Sequence, residues 1–150
     1  MKKIISLLLS FGVFVSINSC KKLNDAPTPV DEMVLLMKNW VMTAGKVDPP
    51  VLGMTDFFAN WGACERDDIY KFSSNNVFIR DEGPSKCNSS NPQTKTGTWT
   101  YNTATKKLWF KAVDAYNMTV IELNETTLKA TTKDTISGII YTGTFTFKAQ

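Results

Sequence analysis

Two pairs of acidic residues, Asp67-Asp68 and Asp81-Glu82, are the side chains of this chain best suited to chemistry. Carboxylates that meet across a hairpin can bind a cation, or repulsion can raise the pKa of one of them enough for acid–base catalysis. A three-residue turn between the pairs places Asp68 opposite Glu82 and points Arg80 inward, whereas a two-residue turn places Asp68 opposite Asp81. The favoured interpretation is a salt-bridged hairpin end, with metal binding and catalysis as the alternatives.

The absence of histidine from all 150 residues excludes several kinds of active site. It rules out Ser-His-Asp and Cys-His catalysis, histidine-ligated zinc and an imidazole switch near neutral pH. The sequence also has no nucleophile motif and no pattern of metal ligands. We therefore predict a protein that is not an enzyme, with no catalytic residue, no metal and no cofactor.

The acidic pairs lie among short segments in which apolar and polar side chains alternate, as they do in half-buried β-strands. The links between the segments are mostly tight and polar, which is typical of antiparallel neighbours in a meander. Eight such strands can close as an all-β up-and-down barrel without exposed sheet edges, and a two-sheet sandwich is the alternative. The predicted strands are 39–46, 67–73, 77–82, 96–101, 107–111, 116–123, 127–133 and 138–148.

Large aromatic side chains and one arginine fall on the inward phase of these strands. They either line a pocket for a small ligand or fill the barrel as its core. An inward arginine needs a carboxylate as its partner, and that carboxylate belongs either to the protein or to a ligand. The ligand-binding candidates are Trp40, Tyr70, Phe72, Phe78, Arg80, Trp99, Phe110 and Phe145.

The first long connection, residues 48–66, is expected to contain a short helix. Thr55 is a suitable N-cap for this helix, and Gly62 is a suitable residue to end it. The aromatic side chains of this segment either form a lid over the barrel mouth or pack into the core. They are Phe57, Phe58 and Trp61.

Residues 1–19 are predicted to be a signal peptide, because Lys2 and Lys3 precede an apolar run that is too short to span a bilayer. The run ends in Ile17-Asn18-Ser19-Cys20, which resembles the lipobox of bacterial lipoproteins. The resemblance implies cleavage before Cys20 and acylation of its thiol and amine, which together give a stable membrane anchor. The alternative is an ordinary cleaved signal peptide followed by an incidental cysteine.

Cleavage changes the charge balance of the chain. Removing residues 1–19 from the 150 leaves 131 and takes the basic residues from 17 to 15, against 14 acidic residues. The net charge falls from +3 to +1, so we predict no nucleic-acid partner. Residues 20–38 are then a tether that ends in a helical turn capped by Asp31, and residues 39–150 are the barrel.

Two cysteines remain in this mature chain, Cys64 and Cys87. An even pair in an exported protein most simply forms one disulfide. The bridge would join the connection 48–66 to the loop 83–95 over one end of the barrel. Closing a loop of this size contributes roughly 3 kcal/mol through the entropy of the unfolded chain.

Motifs spread over most of the mature chain carry a family resemblance. They are Trp40, Cys64-x-x-Asp67-Asp68-x-Tyr70-x-Phe72, Asp81-Glu82-Gly83 with Cys87, Gly97-Thr98-Trp99, Glu122-Leu123 and Leu128. With these motifs, the segment from Trp40 to Phe147 resembles the lipocalin-like domains of bacterial envelope lipoproteins. The resemblance implies a barrel with a pocket, but no particular substrate.

We therefore predict a membrane-anchored, lipocalin-like binding module for a small, largely apolar ligand. Its expected location is the bacterial envelope, as an outer-membrane lipoprotein facing either the periplasm or the cell surface. The alternative is a filled barrel that contacts another envelope protein near Trp61 or Trp109. Asp134-Thr135-Ile136 also resembles the O-glycosylation signal of some periplasmic systems, which makes Thr135, in a predicted turn, a candidate for glycosylation.

Overall fold

The strands of the protein form a single antiparallel sheet that closes on itself. The computed structural model describes residues 30–150, so the predicted signal peptide 1–19 and the lipidation candidate Cys20 lie outside the described residues. The strands are β1 (Asn39–Val51), β2 (Met54–Asp56), β3 (Ile69–Ser73), β4 (Val77–Asp81), β5 (Thr94–Asn102), β6 (Lys107–Lys111), β7 (Ala115–Leu123), β8 (Thr127–Ile136) and β9 (Ile139–Ala149).

Pairing of β1 with β9 closes eight of these strands into an up-and-down barrel. Each of the eight pairs antiparallel with its neighbour along the chain, as the short polar links predict. The remaining strand, β2, is a three-residue addition that folds back on the end of β1. The predicted eight-stranded barrel is therefore confirmed, with one short strand added to it.

The hairpin between β3 and β4 has the three-residue register. Tyr70 lies opposite Arg80, and Phe72 lies opposite Phe78. Asn75 and Asn76 in the turn adopt positive φ values of 60° and 61°, a conformation that asparagine tolerates better than most residues. Arg80 therefore shares the inward side of the hairpin with Tyr70.

Strand β7 contains a bulge that shifts its inward phase. Val120 pairs with Ala130 and Glu122 pairs with Lys129, so Ile121 is an extra residue between the two pairs. Val120 is buried, whereas Ile121 is exposed. Because a bulge moves the following residues to the other phase, the sequence of this strand is partly apolar in both phases.

A short helix, α1 (Glu32–Leu36), closes one end of the barrel. Asp31 caps it as predicted, since its side chain accepts the N–H of Met33 at 2.9 Å. Leu36 is fully buried, and its carbonyl accepts the indole N–H of Trp40 at 3.0 Å. No helix within residues 30–150 is long and apolar enough to cross a membrane.

Polar contacts tie α1 to a turn at the same end of the barrel. Glu32 pairs with Lys106 at 2.6 Å between Oε1 and Nζ, and the hydroxyl of Tyr101 donates to Oε2 of Glu32 at 2.7 Å. Further round the barrel end, Lys38 pairs with Glu125 in the turn between β7 and β8. We call this the closed end.

The opposite end of the barrel carries the long connections. The predicted short helix of the connection 48–66 is present, but the predicted cap residues, Thr55 and Gly62, are wrong. Thr55 lies in β2, because the two-residue turn Leu52-Gly53 (φ 52° and 79°) folds the chain back onto β1. A 3₁₀ turn, Phe58–Asn60, follows, and the side chain of Asp56, not Thr55, accepts the N–H of Ala59 at 2.9 Å. The short helix of this connection, α2 (Ala63–Arg66), begins after Gly62 instead of ending there.

The predicted disulfide between Cys64 and Cys87 is confirmed, with 5.1 Å between the two Cα atoms. It joins α2 to the loop between β4 and β5. Both segments lie at the end of the barrel opposite α1, because consecutive antiparallel strands alternate their ends. The bridge therefore fastens two long loops together over this end, as the sequence predicts.

Candidate functional site

The main apolar opening in residues 30–150 is a cleft of about 360 Å³ at the end of the barrel opposite α1. It lies where β1, β8 and β9 continue past the closed part of the barrel. Nearly all of its walls are aliphatic or aromatic. The lining residues are Val47, Val51, Leu52, Met54, Phe57, Thr132, Asp134, Ile136, Tyr141, Gly143 and Phe145.

Two hairpins build this cleft because they extend beyond their neighbours in the sheet. Strands β8 and β9 stay paired out to Ile136 and Ile139, and the two-residue turn Ser137-Gly138 joins them with φ values of 53° and 80°. Strand β1 pairs with β9 along one edge as far as Asp48, and with β2 along its other edge between Lys46 and Val51. The inward faces of these extensions have no opposite wall of the barrel to cover them, so they remain open as the cleft.

The base of the cleft is set by Phe57. Its N–H donates to the carbonyl of Gly45 at 3.1 Å, and its ring occupies the space that a side chain at Gly45 would need. The ring centroid of Phe57 lies 5.3 Å from that of Phe145. Both rings line the cleft, and Phe145 also packs against the barrel core.

The barrel core itself is filled. Among the predicted ligand-binding residues, six are buried side chains that pack together in one cluster: Trp40, Tyr70, Phe72, Phe78, Trp99 and Phe110. Phe110, for example, lies 4.8 Å from Phe78 and 5.4 Å from Phe72 between ring centroids. These six residues are core, and Phe145 is the one predicted residue that lines the cleft.

The Gly-x-Trp motif also has a packing role. The indole N–H of Trp99 donates to the carbonyl of Ser73 at 2.8 Å. A Cβ atom at Gly97 would lie 1.7 Å from the carbonyl oxygen of Lys111, so only glycine allows β5 and β6 to approach so closely. The motif therefore fixes one side of the barrel, and it does not contribute to the cleft.

Comparison with protein-family models decides the family of the chain. The model of the lipocalin-like domain matches residues 36–130, well over half of the chain. The chain belongs to the lipocalin-like domain family. No curated protein sequence gives a significant match. The match ends at Ala130, four residues into β8, so the hairpin tip that forms one side of the cleft lies beyond it.

The lipocalin-like barrel holds Arg80 in an ion pair with Asp68. Nε and Nη2 of Arg80 donate to Oδ2 of Asp68 at 2.8 and 2.5 Å. Asp68 is 1% exposed, and its Oδ1 has no hydrogen-bond donor among the described residues. Burial raises the pKa of Asp68 above its ordinary value, although the hydrogen bonds from Arg80 act in the opposite direction. Arg80 therefore has a carboxylate partner within the protein itself.

Two further acidic side chains of the hairpin are also paired with lysines. Glu82 is buried and lies 3.2 Å from Nζ of Lys95, and Asp81 lies 2.7 Å from Nζ of Lys71. The hydrogen bond from Lys71 holds the pKa of Asp81 below its ordinary value. Within residues 30–150, no group of three or more acidic or cysteine side chains is placed to hold a metal ion. Three of the four acidic residues, Asp68, Asp81 and Glu82, thus form the salt-bridged hairpin end that the sequence favours. The fourth, Asp67, instead accepts the backbone N–H of Ser85 at 2.9 Å.

The prediction that Thr135 lies in a turn is wrong. Strand β8 continues through Ile136, and the turn that follows it is Ser137-Gly138. Thr135 is exposed and pairs with Ile140 of β9. It is therefore an accessible residue of a regular strand, next to the cleft residue Asp134.

Most of the residues that form the cleft of this lipocalin-like domain are not among the ligand-binding residues predicted from the sequence. The available signal was the pair of dipeptides Leu52-Gly53 and Ser137-Gly138, each flanked by apolar residues, which is typical of a hairpin with a tight turn. Large apolar side chains remain exposed at the two hairpin tips. They are Leu52, Met54, Ile136, Ile139 and Ile140.

Proposed function

We propose that this protein is a binding module of the bacterial envelope that holds a small, largely apolar ligand in the cleft between the β1–β2 and β8–β9 hairpins. The observation that carries the proposal is the composition of the cleft walls. They combine three aromatic rings, those of Phe57, Tyr141 and Phe145, with aliphatic side chains from three strands. The cleft exposes concave apolar surface to solvent. Binding of an apolar ligand removes this surface from water, which lowers the free energy of the complex.

The size of the cleft supports a ligand of limited volume. Ligand sites of proteins have volumes of roughly 300–1,000 Å³, and this cleft, at about 360 Å³, is near the lower limit. The barrel interior offers little additional depth, because its buried aromatic side chains pack together in one cluster. A single alkyl chain or one ring system is a suitable occupant, with part of its surface left in water.

The proposal includes the membrane anchor predicted from Cys20. Two signals support it: the apolar run that ends at this cysteine, and the polar residues that follow before α1. Metabolic labelling with a fatty-acid analogue tests it directly. We expect label in the natural protein and none after Cys20→Ser, and equal labelling of both proteins would refute the anchor.

Ligand binding is tested with N-phenyl-1-naphthylamine, an apolar dye whose fluorescence rises when it leaves water. Ile136→Asp places a charge in the cleft wall at a side chain that is 51% exposed, so the fold should tolerate it. Ile121→Asp is the matched control, because Ile121 is 55% exposed on the same sheet but lies outside the cleft. We expect saturable binding to the natural protein and to the Ile121 variant, and strongly weakened binding to the Ile136 variant. Equal binding to all three proteins would overturn the proposed site.

A second candidate function is interaction with another envelope protein. It is favoured by the exposed tips, where Leu52 is 100% exposed and Ile140 is 61% exposed. Ile140 does not line the cleft, so Ile140→Asp separates the two functions. If the tips bind a protein, this variant loses a cross-linked partner in cells while it keeps dye binding. If the cleft alone matters, the variant is indistinguishable from the natural protein in both measurements.

A further inference from the structure

One charged side chain, Asp134, lines the apolar cleft, and the described residues contribute no second charge to its walls. Asp134 lies on the same phase of β8 as Thr132 and Ile136, and all three line the cleft. In the register of the hairpin it is directly opposite Tyr141, a further cleft residue. A ligand in the cleft must therefore lie close to this carboxylate.

The charge of Asp134 has no protein cation to neutralise it within residues 30–150, where no lysine or arginine nitrogen lies within 4.0 Å of its carboxylate. Its Oδ1 accepts the N–H of Thr135 at 2.8 Å, and no hydrogen bond to Oδ2 is formed by the described residues. The neighbouring lysine, Lys133, faces the outer surface, where it lines a polar groove together with Lys107.

The charged residues of β1 also face away from the cleft. Lys46 and Asp48 line a separate surface groove beside Thr142 and Thr144. The alternation of the strand explains this, because Val47 between them points into the cleft. Asp134 is thus the one charged side chain that the described residues place in the wall of the cleft.

Resting on the proposed function, we infer that the cleft selects its apolar ligand by the charge of the head group. The chemical class that it fits is an amphiphile with one alkyl chain and a cationic head group, such as a primary amine beside Asp134. A neutral hydroxyl head can donate a hydrogen bond to Oδ2 and binds less tightly. A carboxylate head is repelled, and it also leaves no donor for Asp134.

The size of the preference follows from the exposure of Asp134, which is in contact with water. Water screens a single charge pair at contact, so we expect the amine to bind on the order of fivefold more tightly than the alcohol. The carboxylate should bind weaker than the alcohol by a similar factor. Both differences should shrink in concentrated salt, where the screening length falls to about 3 Å.

The test is displacement of N-phenyl-1-naphthylamine at neutral pH by decylamine and decanoate, each below its micelle concentration, and by decanol below its solubility limit. The protein is the full chain with Cys20→Ser, so that no acyl chain of its own competes. Asp134→Asn removes the charge and keeps an oxygen acceptor for Thr135. Asp114→Asn, an exposed aspartate outside the cleft, is the matched control.

We expect the order amine, alcohol, carboxylate for the starting protein and for the Asp114 variant, and nearly equal affinities for the Asp134 variant. Equal displacement by the three compounds, or an order that survives Asp134→Asn, overturns the inference and leaves the proposed function intact. If neither the dye nor any of the three compounds binds, the proposed function itself fails. Circular dichroism of each variant verifies that the barrel is folded.

Discussion

Phe57 lies directly over Gly45, and the two residues are joined both through the backbone and through the side chain. The Phe57 N–H donates to the Gly45 carbonyl at 3.1 Å. A Cβ atom at position 45 would lie 2.3 Å from Cε2 of the Phe57 ring, so the ring and a side chain cannot occupy the same space. Because the same ring forms the base of the cleft, the absence of a side chain at Gly45 determines the shape of the site.

Gly45→Ala should therefore damage the cleft more than it damages the barrel. The added methyl group must displace the Phe57 ring, which is the movable end of a side chain on a surface connection, and overpacking of this kind costs about 1–3 kcal/mol. We expect a moderate loss of the free energy of unfolding, measured with urea, together with a marked loss of dye affinity. Ala44→Val is the control, because Ala44 lies next to Gly45 but lines neither the core nor the cleft. Unchanged dye binding by Gly45→Ala would contradict the role assigned to Phe57.

Arg80→Met should destabilise the protein in a pH-dependent way. At neutral pH it leaves the buried carboxylate of Asp68 without its cation, at a cost of about 3 kcal/mol. Burial already holds the folded-state pKa of Asp68 above its unfolded value, and loss of Arg80 raises it further. When the folded-state pKa of a carboxyl group is raised, its ionisation destabilises the folded protein. The loss of unfolding free energy in Arg80→Met should therefore become smaller as the pH falls through the folded-state pKa and below the unfolded value of about 3.9.

Urea unfolding of Arg80→Met at neutral pH and near pH 3 measures this effect. The lower pH is about one unit below the ordinary pKa of an aspartate. The double variant Asp68→Asn, Arg80→Met is the control, and it should recover part of the stability at neutral pH because no buried charge remains. A deficit of the same size at both pH values would show that Arg80 stabilises the barrel by packing, not by charge.

Glu32→Gln should weaken the contact between α1 and the rest of the closed end. The hydrogen bond from Lys106, followed by that from Tyr101, holds the pKa of Glu32 below its ordinary value. When the folded-state pKa of a carboxyl group is lowered, the ionised group stabilises the folded protein at pH values above its unfolded-state pKa, about 4.3 for glutamate. This stabilisation is lost as the pH falls through the folded-state pKa. Since the pair is partly exposed, we expect a loss of about 0.5–1 kcal/mol at neutral pH that disappears in acid.

Hydrogen exchange of the amides in α1, together with urea unfolding at the two pH values, measures this loss. Asp114→Asn again serves as the control and should change neither quantity. A loss in Glu32→Gln that persists in acid would mean that the shape of the side chain matters more than its charge.

The barrel was predictable from the sequence because alternation and short links are local properties of the chain. The inward phases of β5 and β6, with Trp99 and Phe110, follow directly from residues two positions apart. The family could also be identified from the sequence, because its motif residues have specific packing roles. Gly97 lies against the backbone of Lys111, and the indole of Trp99 donates to the carbonyl of Ser73.

The cleft was not predictable in the same way, because it depends on how far each strand continues past its neighbours. An inward aromatic side chain has the same sequence signature whether it packs against other rings, like Phe72, or borders an opening, like Phe145. The hairpin register around Arg80 was also open, because the turn 74–76 is compatible with two pairings until the backbone conformation of its asparagines is known.

The closed end of the barrel also gives the domain a direction. The described chain enters at α1, and the cleft lies at the far end of the same barrel axis. The first described residues and the hairpin tips therefore lie at opposite ends of the barrel. A ligand or partner would reach the cleft from the side opposite α1, so the two ends of the domain can make separate contacts at the same time.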